Sequence, residues 1–397
     1  MIGTDDGGWR DASGFEEQKL NAVANRELAA GSLRLSLSGS NLDQETAGFI
    51  QGEDAYRDPA LARSNPDPEA YRDATSLRFA TQYHGATGNE LRFVLRSSRM
   101  DFLQHFLLGQ PVEDNGQDSG GLMFMSAARP LAGGELVAGV DAEFAASTLL
   151  QYQSGPTTDG SPSANAIRPA GRHYDYAVDS TVLAGYANWR RTLGERGLLE
   201  AGLRLEHARY DYDNRMIDGN TDENGVPCPG GCLYSRPADR SDDFTNLAPR
   251  LAFLWSASDS TTAYVTLARG FRAPEATELY RLQRQQSVTD LDSETIDAAE
   301  VGLRWRAETA SLDLAGVGAH AVAHRDRDAE PLLQNPRWRR LSAGFRHEEA
   351  LLLLYVGAEH LGGLIRLARL AQNAGQGVIH RHTGPLCQRP LVGRRGR

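Results

Sequence analysis

Residues able to do chemistry gather in one polar stretch of the chain, 211–246. Within it, Asp218-Gly-Asn220-Thr-Asp222-Glu223-Asn224-Gly225 sets oxygen donors at alternate positions, the spacing that calcium loops use. If Ca2+ binds in this loop, 218–225, its ligands are Asp218, Asn220, Asp222 and Glu223. Two departures weaken that reading. Glu223 stands at the sixth position, where such loops need glycine, and Pro229 stands where they carry a bidentate acid. A solvated acidic loop is the plainer account. A few residues on, Cys228-Pro-Gly-Gly-Cys232 suits a small disulfide, because Pro229, Gly230 and Gly231 can supply the tight turn it needs. Two free thiols are the alternative, and a metal site comes third, since no second cysteine or histidine pair lies nearby. Cys387 stands alone.

No catalytic set emerges elsewhere. His84, His105, His173 and His207 fall in unrelated strand ends and loops, whereas a general base has to sit within reach of the group it serves. The other histidines, at 320, 324, 347, 360, 380 and 382, have no carboxylate or cysteine at ligand spacing. The basic tail that holds them lacks interleaved aromatics and any nucleic-acid motif. Neither an enzyme nor a nucleic-acid partner is expected.

The elements that position these residues read as strands. Apolar residues alternate with polar ones at period two, the mark of strands buried on one face. Leu33, Leu35 and Leu37 form one such set, and Leu91, Phe93 and Leu95 another. In 135–144 the set is Leu136, Ala138, Val140, Ala142 and Phe144, opposite Gly139, Asp141 and Glu143. In 199–206 it is Leu199, Ala201, Leu203 and Leu205, opposite Glu200, Gly202, Arg204 and Glu206. Leu251, Phe253 and Trp255 follow, then Val301, Leu303 and Trp305 against Glu300, Arg304 and Arg306. Strand pairs 75–84 with 89–99 and 248–257 with 260–270 are joined by very short turns. The stretches 41–74, 105–119, 151–177 and 211–246 are long and polar. Short turns at one rim and long loops at the other, with a charged face opposite the apolar one, is how an outer-membrane barrel is built.

Composition permits this. No apolar run approaches the ~18 residues of a helical membrane span, and the longest, Leu351–Val356, is far too short. A barrel wall escapes that test, because its lipid-facing and lumen-facing residues average to a polar mean. The chain starts Met1-Ile2-Gly3-Thr4-Asp5-Asp6, without a basic segment and apolar core, so an export signal is expected to lie outside it. One lysine stands against 41 arginines, which reads as a GC-rich genome. Residues 1–315 carry 46 acids and 29 bases; residues 316–397 carry 6 and 13. Alternation also stops near Ala315. A shifted reading frame explains both, the alternative being a divergent natural tail with an amphipathic helix around Glu348–Ala371.

Some segments go beyond pattern. Residues 246–280, NLAPRLAFLWSASDSTTAYVTLARGFRAPEATELY, resemble the barrel of TonB-dependent receptors, and 291–306, LDSETIDAAEVGLRWR, resembles the family's following strand. The front segments Asp6–Asp11 and Asn41–Thr46 are similar to an early barrel region. The resemblance covers about residues 5–315. It implies an all-β fold, an antiparallel transmembrane β-barrel, here incomplete with about 11–12 strands where the family has 22, followed by an irregular or partly helical C-terminal tail. The organisation expected is therefore a partial barrel, 1–315, and an atypical tail, 316–397. The family's plug domain, its energy-coupling segment and its terminal aromatic strand are not found in this chain. The resemblance further implies energy-coupled uptake of a scarce nutrient, most simply an iron chelate, with the TonB protein as partner and outer-membrane lipid around the wall. Ligand contact would fall to the long loops, with Tyr210, Tyr212 and Tyr234 as candidates. Tyr210 could instead belong to the aromatic girdle at headgroup level. Arg269, Phe271, Arg272, Ala273 and Pro274 read as rim structure. A passive porin, a surface-binding barrel and a non-functional fragment are the alternatives.

Overall fold

The computed structural model describes residues 1–284, 286 and 290–322, together with the backbone of 349–358. Its strands are β1 (Ile2–Asp6), β2 (Phe15–Leu28), β3 (Gly31–Glu45), β4 (Tyr71–Gly85), β5 (Glu90–Leu103), β6 (Val112–Met125), β7 (Arg129–Leu131) and β8 (Gly134–Gln153). These are followed by β9 (Gly171–Leu193), β10 (Gly197–Asn214), β11 (Tyr234–Ser235), β12 (Arg240–Ser258) and β13 (Thr261–Arg272). The last are β14 (Leu282–Gln283), β15 (Glu294–Arg306), β16 (Ala310–Val322) and β17 (Glu349–Ala358). Three short helices, α1 (Pro59–Arg63), α2 (Pro162–Ala166) and α3 (Ala276–Tyr280), sit in loops. One 15-stranded antiparallel sheet runs from β1 to β17 in sequence order, with β7 beside β8, and β11 and β14 pair separately. Among the described residues, β1 and β17 form its two edges.

Register sorts the side chains. Residues directly opposite across antiparallel strands share a face. Leu203 of β10 faces Ala187 and Pro249, while Arg204 faces Tyr186 and Ala248. The leucine face is exposed, with Leu205 52% and Val301 62% accessible, which suits a wall bathed in lipid rather than in water. On the other face, ion pairs skip a strand. Arg204 reaches Asp141 at 2.6 Å past β9, and Arg96 reaches Glu143 at 2.9 Å past β6. Such reach needs a concave face, because curvature brings side chains together on the inside and splays them outside. Leu303 and Trp305 share the apolar face, and Arg304 lies on the charged one, beside Asp313 and over the Tyr264 ring.

Hairpin turns and long loops alternate along the chain as expected, but strands are longer and more numerous than the reading from sequence. The stretches 41–74, 105–119, 151–177 and 211–246 each surrender residues to strand at both ends or at one. β2 was missed because its outer face reads Leu20, Ala22, Ala24, Arg26, Leu28, too mixed to signal alternation. β16 runs through Ala315 to Val322. A helix over Glu348–Ala371 is corrected for its first part, where Glu349–Ala358 is a strand paired with β16. A short apolar run such as Leu351–Val356 fits helix or strand equally by periodicity, and the open edge of β16 decides it. The rest of that helix, and most of the tail in which a frame change was suspected, lie outside the described residues.

Candidate functional site

The long loops close over the charged face at one end of the sheet. The loop between β10 and β12 is held from inside by Arg236, which is 2% exposed. Its guanidinium donates to the carbonyls of Ile217 (2.9 Å), His173 (3.1 Å) and Thr221 (2.9 Å). Burying an unpaired cation is costly, and these fixed carbonyl dipoles offset it; burial holds the group below the usual arginine range. Cys228 and Cys232 are joined by a disulfide, with Cα atoms 4.8 Å apart. β11 pairs with β14, tying this loop to the one between β13 and β15.

The four oxygen donors of the candidate calcium loop are not brought together. The Asn220 amide donates to the carbonyls of Cys232 and Tyr234, both at 2.7 Å. Asp222 Oδ1 accepts from the backbone N–H groups of Asn224 and Val226, closing a turn. Glu223 accepts from the Arg172 backbone at 3.0 Å and lies 3.6 Å from its guanidinium. Asp218 joins none of them. Among the described residues no three His, Cys, Asp or Glu groups converge in a metal-holding arrangement.

The tyrosines do converge. Tyr210 and Tyr212 lie on the same face of β10 as Arg204, the concave one, which removes Tyr210 from a lipid-facing girdle. Tyr212 is 3% exposed and stacks on Tyr280 at 4.3 Å. Tyr234 stacks on His173 at 3.7 Å and meets Tyr174 edge-on at 5.6 Å. Tyr176, Phe244, Leu149 and Leu279 complete this cluster, with Tyr210 packed against it. Burial pushes the Tyr234 hydroxyl up to about 12. Burial and a hydrogen bond donated to Asp242 raise that of Tyr280 as well. His173 enters the cluster through a register shift at Gln151/Tyr152, which lets two neighbouring side chains, His173 and Tyr174, both turn inward. The sequence did hold a signal for Tyr174 and Tyr176, because Tyr-Asp-Tyr recurs at 174–176 and 210–212. Tyr280 and Arg281 carried none. The histidines stay apart: His84 neighbours Glu90 and His207 neighbours Thr245 and Asp243.

Below the loops the concave face is a compensated field of charge. Arg190 pairs with Glu135 at 2.7 Å, and Arg204 bridges Asp141 and Glu206. A groove of about 390 Å³ runs along Asp141, Tyr186, Asn188, Arg204 and Arg250. At the rim, Arg269 pairs with Asp297, and Arg272 with Glu278 and Glu294. These pairs neutralise one another, and none of them is arranged as nucleophile and base.

An apolar outer wall, a charged inner wall and long loops at one rim define a barrel wall of the outer-membrane kind. The sequence model of the TonB dependent receptor-like β-barrel matches residues 8–317, and the chain belongs to that family. Among solved structures it is similar to the ferric citrate transporter FecA in its unliganded form, at 12% identity and a TM-score of 0.57, covering 79% of this chain and 44% of that one. The ferric-catecholate import receptor Fiu from E. coli K12 gives 15% identity and a TM-score of 0.55, covering 80% and 53%. The copper transporter OprC gives 14% and 0.56, covering 80% and 48%. At these identities the likeness is one of fold. The chain spans about half the length of the structures it matches. No curated protein matches the sequence.

Proposed function

We propose that this chain forms the loop-bearing wall of an outer-membrane receptor that takes up a scarce nutrient, most simply an iron chelate, with energy supplied through TonB. The observation that carries the reading is the union of one lipid-facing surface and one charged concave surface, closed at one rim by loops whose tyrosines pack inward. Family membership and the named cargo of FecA and Fiu support it. The ligand meets the loop rim first, and Tyr210, Tyr212 and Tyr234, packed into the aromatic cluster at that rim, are the candidate contacts. Transport, not bond-making, is the activity. Cells displaying the chain, in backgrounds with and without TonB, are to be assayed for uptake of labelled ferric chelates. TonB-dependent accumulation is the expected result. Accumulation independent of TonB would instead identify a passive pore, and surface retention without entry a binding wall.

A further inference from the structure

The segment that follows β13 does not stay beside its own strands. Arg281 Nη2 donates to Glu113 Oε2 at 2.7 Å, although Glu113 belongs to β6 and four strands, β8, β9, β10 and β12, separate β6 from β13. On the way, Tyr280, fully buried, stacks on Tyr212 and donates to Asp242 at 2.8 Å, and the Tyr174 hydroxyl donates to the Leu282 carbonyl. The segment therefore crosses the concave face as a chord. Its far anchor is prepared in advance. Glu113 is 5% exposed, and Gln104 and Asn115 donate to its carboxylate at 2.8 and 3.1 Å, which fixes the carboxylate where the guanidinium arrives. Its near anchor is strong: Glu275 and Glu278 form a capping box at the start of α3, and Glu278 also pairs with Arg272 at the end of β13. Just past Arg281, among the described residues, the segment's strand pairing is the two-residue β11–β14 contact, short enough to open without unravelling the wall. A firm root, a short tether and one ion pair to a buried carboxylate are the parts of a latch.

We propose that Glu275–Gln283 is a strap latched across the mouth by Arg281 and Glu113, and that unlatching it uncovers Tyr174 and Tyr212. The proposal rests on the reading that the mouth tyrosines serve a ligand, but its test needs none, so either can fail alone. The full chain, refolded in detergent micelles, is to be digested briefly with trypsin, with cleavage after Arg281 and Arg284 followed by mass spectrometry. Loss of a buried partner raises the open population, and cleavage tracks that population, so Glu113→Ala is expected to accelerate both cuts about tenfold or more. Glu113→Gln, which keeps an acceptor for the guanidinium, falls between it and the wild type. Nitration of Tyr212 by tetranitromethane rises in step. Cleavage at the wild-type rate in Glu113→Ala overturns the latch, and cleavage without Tyr212 nitration overturns the uncovering. Should Glu113→Ala fail to refold, hydrogen exchange on the wild type decides. The amides of Leu279–Leu282 are expected to exchange through an opening separate from that of β9 and β10. Exchange only on global unfolding overturns the strap.

Discussion

Two glycines on the concave face are seats for tyrosine rings, which makes them the sharpest place to perturb the wall. Gly302 on β15 stands directly opposite Tyr264 on β13, and a Cβ added to it would lie 2.3 Å from Cζ of that ring. Gly139 on β8 stands opposite Tyr186 on β9, and a Cβ there would lie 2.3 Å from the ring and 2.5 Å from the Phe124 carbonyl oxygen. In Gly302→Ala the ring can swing away. It then gives up its hydrogen bond to Glu300 and its place under the Arg304 guanidinium, 4.8 Å from its centroid. Those losses together suggest about 1–3 kcal/mol, discounted because the site is partly wet. In Gly139→Ala the backbone oxygen cannot swing, so the cost should be larger, about 3 kcal/mol or more. Gly185 and Gly318 are internal controls: nothing lies within 4 Å of an added Cβ, so alanine there should change stability by less than about 0.5 kcal/mol. Urea unfolding of the refolded chain in micelles, read by tryptophan fluorescence, gives all four values. Adding Tyr264→Ala to Gly302→Ala should recover part of the loss, a coupling that two independent lesions do not show. Equal midpoints for Gly302→Ala and Gly318→Ala, or strict additivity in that double variant, would refute the seating argument.

Three further outcomes are expected. Exported under oxidising conditions, the chain should weigh two hydrogens less than its reduced form, with Cys228 and Cys232 in one cross-linked peptide; free thiols at both positions would count against the loop described. The raised hydroxyls of Tyr234 and Tyr280 have folded values above the unfolded value of about 10, so the stability they contribute is intact below that pH and lost as pH rises, through about 12 for Tyr234 and higher still for Tyr280. Tyrosinate absorbance should therefore show a late group ionising together with loop release, and titration of every tyrosine near pH 10 would contradict the buried cluster. Reading the gene out of register after codon 315 should restore alternating strands and a terminal aromatic residue; two alternative frames without either would leave the tail as evolved sequence.

The wall was legible where lipid imposes a rule. Leu199–Leu205 and Val301–Trp305 alternate because every second residue must meet hydrocarbon, and both stripes lie on the exposed face. The two-cysteine loop was legible because its turn residues are local. The mouth was not. Arg281 and Glu113 are 168 residues apart in sequence, and no local pattern announces a chord across a curved sheet. Asp222 and Asn220 show the limit from the other side: alternate oxygens spell a calcium loop, and the same groups here close a turn and donate to backbone carbonyls, two uses that spacing alone does not separate.

The strand ends were lost for a reason that also locates the membrane. β9 has 23 residues, whereas about 9–11 suffice to cross the hydrocarbon, so much of each strand stands in water, polar on both faces and silent to a search for alternation. Register shows where the change occurs. Asp5, Glu16, Asp43, Asp73, Asp101 and Asp114 lie directly opposite one another on six successive strands. They continue the faces that carry Leu37, Leu77 and Leu95 towards the loops. Like charges in direct opposition destabilise a sheet even in water, and six carboxylates in a row have no place in hydrocarbon. That row must therefore stand above the lipid. The apolar stripes below it mark the membrane, and Glu113 and Tyr174, which the strap meets on β6 and β9, stand at the level of this row, one residue from Asp114 and Asp175.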